Sequence, residues 1–190
     1  MTTRASSDRR ARVREHARRD ILESAAQVFA RRGYAAATLA ELAEAAGYAA
    51  PSLYRYFGSK EEIFQSLLSL VTAELQEVFD APVDRRLPIE ERLSTLFLAL
   101  RRMAEGRRET LELLTAHTDP DEGQAHLEGR LETWLKKHVA RSELRVPPAL
   151  AAQVAAGILL AQKHGRQRPG STHVESARLA ADLILHGVSA

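Results

Sequence analysis

The chain has 190 residues, which at about 150 per domain means one compact unit with an appendage or two small modules. Hydrophobic residues make up 45% and charged residues 27%, too apolar for a disordered chain, and the lack of cysteine excludes disulfides, thiolate catalysis and zinc sites built on sulfur. The longest apolar run, residues 154–161, is far short of a membrane span, and no apolar core with a cleavage site follows the basic N-terminus. A cytoplasmic protein without a membrane partner is the expectation. The formal net charge of +2 is unevenly spread: residues 1–60 hold 11 Lys or Arg against 6 Asp or Glu, and residues 61–190 hold 16 against 19. A basic head on a mildly acidic body suits a polyanionic partner, though a solvated basic tail would give part of the same excess.

Nearly every segment carries helical signals, and no stretch alternates as a strand would, so the predicted fold is all-α. Residues 1–15 are an arginine-rich arm, expected to be flexible. A first helix buries Ile21, Ala25, Val28 and Phe29 and stops at Gly33. A second spans residues 38–46, opened by Thr38 and Glu41 at capping-box spacing and closed by Gly47. A short third covers residues 51–57. A fourth opens with Ser59 and Glu62, again at box spacing, and presents Ile63, Phe64, Leu67, Leu68, Val71, Leu75 and Phe79 on one face. Pro82 and Pro88 punctuate a linker. Helices are then expected at residues 89–103, at 108–116, around Leu127–Val139, at 149–163 and at 174–188, with a basic loop over 165–171.

Residues 38–57 have the layout of a helix-turn-helix, whose second helix enters the major groove while the first braces it. A plain helical hairpin would share the layout. Three features favour the DNA reader: a second helix carrying Ser52, Tyr54, Arg55 and Tyr56, a basic arm before it, and Lys60 at a capped helix start after it. Gly33-Tyr34, Thr38, Ala43, Ala46-Gly47, Leu53-Tyr54, Tyr56-Phe57 and Ser59-Lys60-Glu61 fall at matching spacings. By these residues, 21–67 resembles the DNA-binding domain of the tetracycline-repressor (TetR) family of bacterial regulators.

The resemblance implies an N-terminal three-helix DNA-binding domain (residues 16–59) after the arm, and a C-terminal helical bundle (60–190) for effector binding and dimerisation. It implies phosphate contacts from Tyr54, Tyr56 and Lys60, although Tyr56 fits packing on the first helix as well. Arg55 is the residue suited to gripping the two acceptors of a guanine. Thr38 borders this surface, and its cap alone would explain it. Tyr48, Ala49, Ala50, Pro51 and Ser52 complete the expected contact surface. Two of them depart from the family pattern: Ala49 stands where a capping serine is usual, and Tyr48 replaces a small aliphatic residue.

The last two helices resemble the pair through which family members dimerise. Leu150, Val154, Ile158 and Ala161, with Ala177, Ala181, Ile184 and Val188, give the expected seam. An effector pocket is expected to be mainly apolar, lined by Leu67, Phe97, Met103, Leu114 and Trp134, with His117 as a polar candidate or simply a helix cap. The expected partners are double-stranded operator DNA, a small-molecule effector and a second copy of the chain, with no cofactor or metal. The remaining readings are a helical adaptor that has lost DNA binding and, least favoured, an enzyme; no H-E-x-x-H, phosphate-loop or nucleophile-elbow string occurs.

Overall fold

A computed structural model describes residues 2–164 together with 177, 178, 181, 182 and 185. The elements are α1 (Thr2–Arg32), α2 (Leu39–Ala45), α3 (Ala50–Leu53), α4 (Lys60–Asp80), α5 (Ile89–Gly106), α6 (Arg108–His117), α7 (Pro120–His138), a 3-10 turn (Arg141–Glu143) and α8 (Pro148–His164). All regular structure among the described residues is helical, and no helix there is long and apolar enough to cross a membrane. The expected loop at 165–171 and most of the expected helix at 174–188 lie outside the described residues, although 177, 178, 181, 182 and 185 are helical.

α1 differs most from expectation. It is helix from Thr2, so the arm expected to be flexible continues the first helix. No Gly or Pro interrupts the chain before Gly33, and Ala, Arg and Glu favour helix even where, as at residues 8–16, the side chains are exposed. Gly33 ends the helix at φ 80 and Gly47 ends α2's turn at φ 75, both left-handed positions that favour glycine. The Thr38 box forms as predicted: Oγ1 accepts from the Glu41 amide, and the Glu41 carboxylate accepts from the Thr38 amide. The second box forms displaced. Ser59 Oγ accepts from Glu62 N at 3.1 Å, but the Glu62 carboxylate takes the Gly58 amide at 2.7 Å.

The helices group into two packed units. The first holds Met1–Ala73 and Arg107–His117, the second Glu74–Gly106 and Thr118–Ala190. In the first, Ile21, Ala25 and Phe29 meet Leu42, Ala43, Leu53 and Phe57, and Ile63, Leu67 and Leu113 close the core. Residues 60–73 and α6 therefore pack with the helix-turn-helix, where the boundary at residue 60 had set them apart. The second unit's core joins Phe79, Leu93, Leu96, Phe97 and Leu100 to Leu131, Trp134 and Leu135, against Ala151, Ala152, Ala155 and Ala156 of α8. Four alanines on one face let α8 lie close to α7.

The expected dimer seam divides on inspection. Leu150 (46% exposed) and Val154 (41%) form an outward apolar stripe on α8, and Ile158 is half-buried. Ala177 (5%) and Ala181 (0%) instead lie in the core of their own unit with Leu185, because their four-residue spacing turns them inward together. The side chain of Ala161, and all of Ile184 and Val188, lie outside the described residues.

Candidate nucleic-acid interface

α3 is shorter than the expected 51–57 helix. Its N-cap, Ala49, makes no side-chain bond, and Pro51 sits in the first turn. After Leu53 the backbone winds tighter: Arg55 N donates to Ser52 O at 3.2 Å, and Tyr56 N to Leu53 O at 2.8 Å. Leu53 (0%) and Phe57 (1%) fix this turn in the core, and the side chains between them face outward or lie half-buried.

Two arginines of α1 hold the turn from behind. Arg14 Nη2 donates to Arg55 O at 3.2 Å. Arg18 Nη1 donates to Tyr56 O, and its guanidinium lies 4.0 Å from the centroid of the Phe57 ring. Arg18 also reaches Ser66 Oγ at 3.5 Å and pairs with Glu62 at 3.7 Å. Cations at the carbonyl end of a helical turn offset its partial negative charge, so α1 closes the C-terminal end of the turn, opposite the end that Ala49 leaves without a side-chain cap. Sequence reasoning missed these roles. The available signal was spacing: 14, 18, 21 and 25 continue one helix face into the apolar stripe.

Tyr54 is 58% exposed, and Arg55 is exposed with its guanidinium unpaired among the described residues. Pro51 and Ala49 are exposed beside them, with Ser52 half-buried and Ala50 packed on the core. Tyr48 and Tyr56 are half-buried and meet edge to face at 5.7 Å, so packing explains Tyr56 and turns Tyr48 inward.

Lys60 is not free for a phosphate. Its Nζ donates to the carbonyls of Tyr34 (2.7 Å), Ala35 (3.1 Å) and Ala37 (3.1 Å), and sits 4.7 Å from the centroid of the Tyr34 ring. All three ammonium donors are engaged, because the loop after α1 leaves carbonyls without helical partners. Tyr34 OH donates to Glu61 at 3.0 Å; burial first, then Glu61, pushes its phenol above the usual range. Thr38 is exposed, but its hydroxyl is engaged with Glu41 as both donor and acceptor. The Thr38 amide, then its hydroxyl, and Arg32 at 3.0 Å hold the Glu41 carboxyl below its usual range.

The six expected effector residues are divided between the two units. Leu67, Leu114 and His117 belong to the first unit, the last two because α6 packs on α1, and Phe97, Met103 and Trp134 belong to the second. Leu67 (1%), Phe97 (2%) and Trp134 (3%) are core, Leu114 is buried and Met103 is half-buried. His117 behaves as the expected helix-end residue: Nδ1 lies 2.9 Å from Leu113 O, and the ring meets Tyr34 and Phe64 edge-on. Among the described residues no cluster of His, Asp and Glu could hold a metal.

Residues 21–67 match the family model described as bacterial regulatory proteins, tetR family. The HTH-type transcriptional repressor KstR2 of Rhodococcus jostii is 34% identical over 87 residues, covering 44% of this chain and 43% of that protein. KstR2 of Mycobacterium tuberculosis is 38% identical over 86 residues, covering 43% and 41%. The chain thus spans less than half the length of these curated relatives. Among solved structures, the TetR family transcriptional regulator PfmR of Thermus thermophilus superposes with a TM-score of 0.66 at 28% identity, covering 90% of this chain and 99% of that one. Residues 21–67 are thus similar to the tetR family of bacterial regulatory proteins, and the all-helical chain as a whole is similar to a solved member of that family.

Proposed function

We propose that the protein is a transcriptional repressor that binds a near-palindromic operator as a homodimer and is released by a small-molecule effector. One observation carries the reading: Tyr54 and Arg55 are presented outward on a turn that α1 fixes from the opposite side. In this reading Arg55 grips a guanine, Tyr54 donates to a phosphate, and Pro51 and Ala49 lie close to the groove. Lys60 acts indirectly by setting the loop that leads into α2.

The stripe of Leu150 and Val154 supports dimerisation through α8, since large apolar side chains gain most from a partner when they stand exposed in a row. Two reading heads related by a twofold axis then sit about 34–36 Å apart on the duplex. The effector acts in the second unit, against Phe97, Met103 and Trp134, whose apolar character sets its class. It lowers affinity by favouring a head spacing that does not fit successive major grooves, and by no more than its differential affinity for the two states.

Selection from random oligonucleotides with the purified protein tests the whole reading. The expected result is an enriched inverted repeat, with sedimentation showing two chains per duplex. Failure to enrich any sequence would sink it in favour of an adaptor that has lost specific DNA binding.

A further inference from the structure

A cleft of about 360 Å³ opens in the second unit. It is bounded by Arg85 in the loop before α5, Arg92 in the first turns of α5, Lys137 and His138 at the end of α7, and Glu143 in the 3-10 turn. Part of this arrangement is helix capping. Arg85 Nη2 donates to Lys137 O at 3.1 Å and Arg92 Nη1 donates to His138 O, so two guanidiniums close the carbonyl end of α7. Arg92 Nη2 bonds Glu143 Oε1 at 2.6 Å, and Glu143 Oε2 accepts from Ala140 N at 2.6 Å.

Capping leaves a remainder. Arg92 is only 7% exposed, yet its Nε–H has no acceptor, and His138 Nδ1 is likewise buried without a partner. Lys137 is exposed, with its ammonium unpaired among the described residues. A buried donor with nothing to donate to is unfavourable, and native proteins rarely keep one without a use. One such donor in the cleft, with an unpartnered imidazole nitrogen and an unpaired ammonium beside it, calls for a ligand rich in acceptor oxygens.

We propose that this cleft is an anion site for a small phosphate monoester, its phosphoryl oxygens taking Arg92 Nε–H, the Lys137 ammonium and the free nitrogens of Arg85. Three cations less the Glu143 carboxylate leave +2 with His138 neutral, the complement of a monoester dianion. Burial first, then Lys137, Arg85 and Arg92, pushes the His138 imidazole below its usual range, so the neutral ring prevails, and its Nδ1–H tautomer supplies a further donor when the anion is bound. The geometry selects against a carboxylate. Both terminal nitrogens of Arg92 are engaged, so no guanidinium fork is left there for a planar, bidentate partner, whereas donors converging from separate side chains suit a tetrahedral group. The volume lies at the low end of small-molecule sites, enough for the phosphoryl group with a short organic remainder. The proposal does not depend on the operator reading.

Calorimetric titration of the full chain at fixed ionic strength tests it, with methyl phosphate, inorganic phosphate, dimethyl phosphate and acetate as probes. Methyl phosphate should bind saturably at one per chain, inorganic phosphate comparably or more weakly, and dimethyl phosphate and acetate not measurably. The double variant Arg85→Gln, Lys137→Gln, both at exposed positions, should lose at least tenfold in affinity while still melting in one cooperative step well above the assay temperature. Arg55→Gln should bind methyl phosphate as the parent does, which separates this cleft from the DNA-reading surface. The Nε–H resonance of Arg92 should shift on saturation, a readout that needs no variant. Equal binding by the double variant, an unmoved Arg92 resonance, or weak unsaturable binding would mean an adventitious ion only and would overturn the proposal. Acetate matching methyl phosphate would overturn the assigned class.

Discussion

The two units use their inward cations differently. In the first, Arg14, Arg18 and Lys60 all donate to backbone carbonyls, and each such bond fixes the course of a loop or turn. In the second, Arg92 is more deeply placed (7% exposed side chain against 26% for Arg18), yet one of its donors stays unpaired beside an unpaired histidine nitrogen. The first pattern is that of a scaffold, which satisfies its polar groups internally so that few side chains project. The second is that of a receptor, which leaves groups unsatisfied until something arrives. The residues projecting from the scaffold, Tyr54 and Arg55, are correspondingly few.

Breaking the scaffold's apolar centre should have the largest effect. Leu53→Ala removes a side chain with no exposure and should cost about 2–5 kcal/mol, with amide protection lost in the first unit and retained in the second. Protection falling equally in both would erase the distinction between the units. Arg18→Met keeps the apolar stem and removes the hydrogen bond to Tyr56 O, for a loss of about 1.5–3 kcal/mol in a denaturant melt. Its affinity for the selected operator should drop while the salt dependence of non-specific binding stays near that of the parent, because the guanidinium acts through the turn.

Arg55→Gln sharpens the contrast from the other side. Its melt should match the parent's, while discrimination at one guanine step falls by about 1–3 kcal/mol in competition binding. Ala49→Ser supplies the missing cap and should stabilise the first unit by about 1 kcal/mol. The smallest effect belongs to the receptor. His138 is held below its usual pKa by burial and by Lys137, Arg85 and Arg92, so the unfolded chain takes up a proton near pH 6.5, before the folded one does. Stability should therefore be full above that pH and decline slightly as pH falls through it, and the decline should vanish in His138→Gln.

What the sequence revealed was local. Gly33, Gly47 and the Thr38–Glu41 box each act within a few residues, and each sits where the pattern puts it. The all-helical fold follows from the same short-range signals. What escaped was long-range. Arg14 and Arg18 reach carbonyls 41 and 38 residues away, and α6 joins the first unit through packing that no periodicity reveals. Lys60 shows the same limit: a lysine in the first turn of a helix faces a phosphate or a neighbouring loop according to what the tertiary fold brings near it, here the carbonyl of Tyr34. Arg92 offered a fainter hint, as a charge directly beside the core residue Leu93 at the apolar face of an otherwise amphipathic helix.

Lys60 has one more consequence. It is the only lysine in residues 1–60, where the other ten basic side chains are arginines. Acylation of side-chain amines would thus find just one target in the head, already enclosed by three carbonyls and an aromatic ring. Such a modification would loosen the bend between α1 and α2 and leave every guanidinium charge of the head intact. Tuning by lysine acetylation, open to lysine-rich DNA binders, is therefore closed to this head as a means of weakening its electrostatic hold.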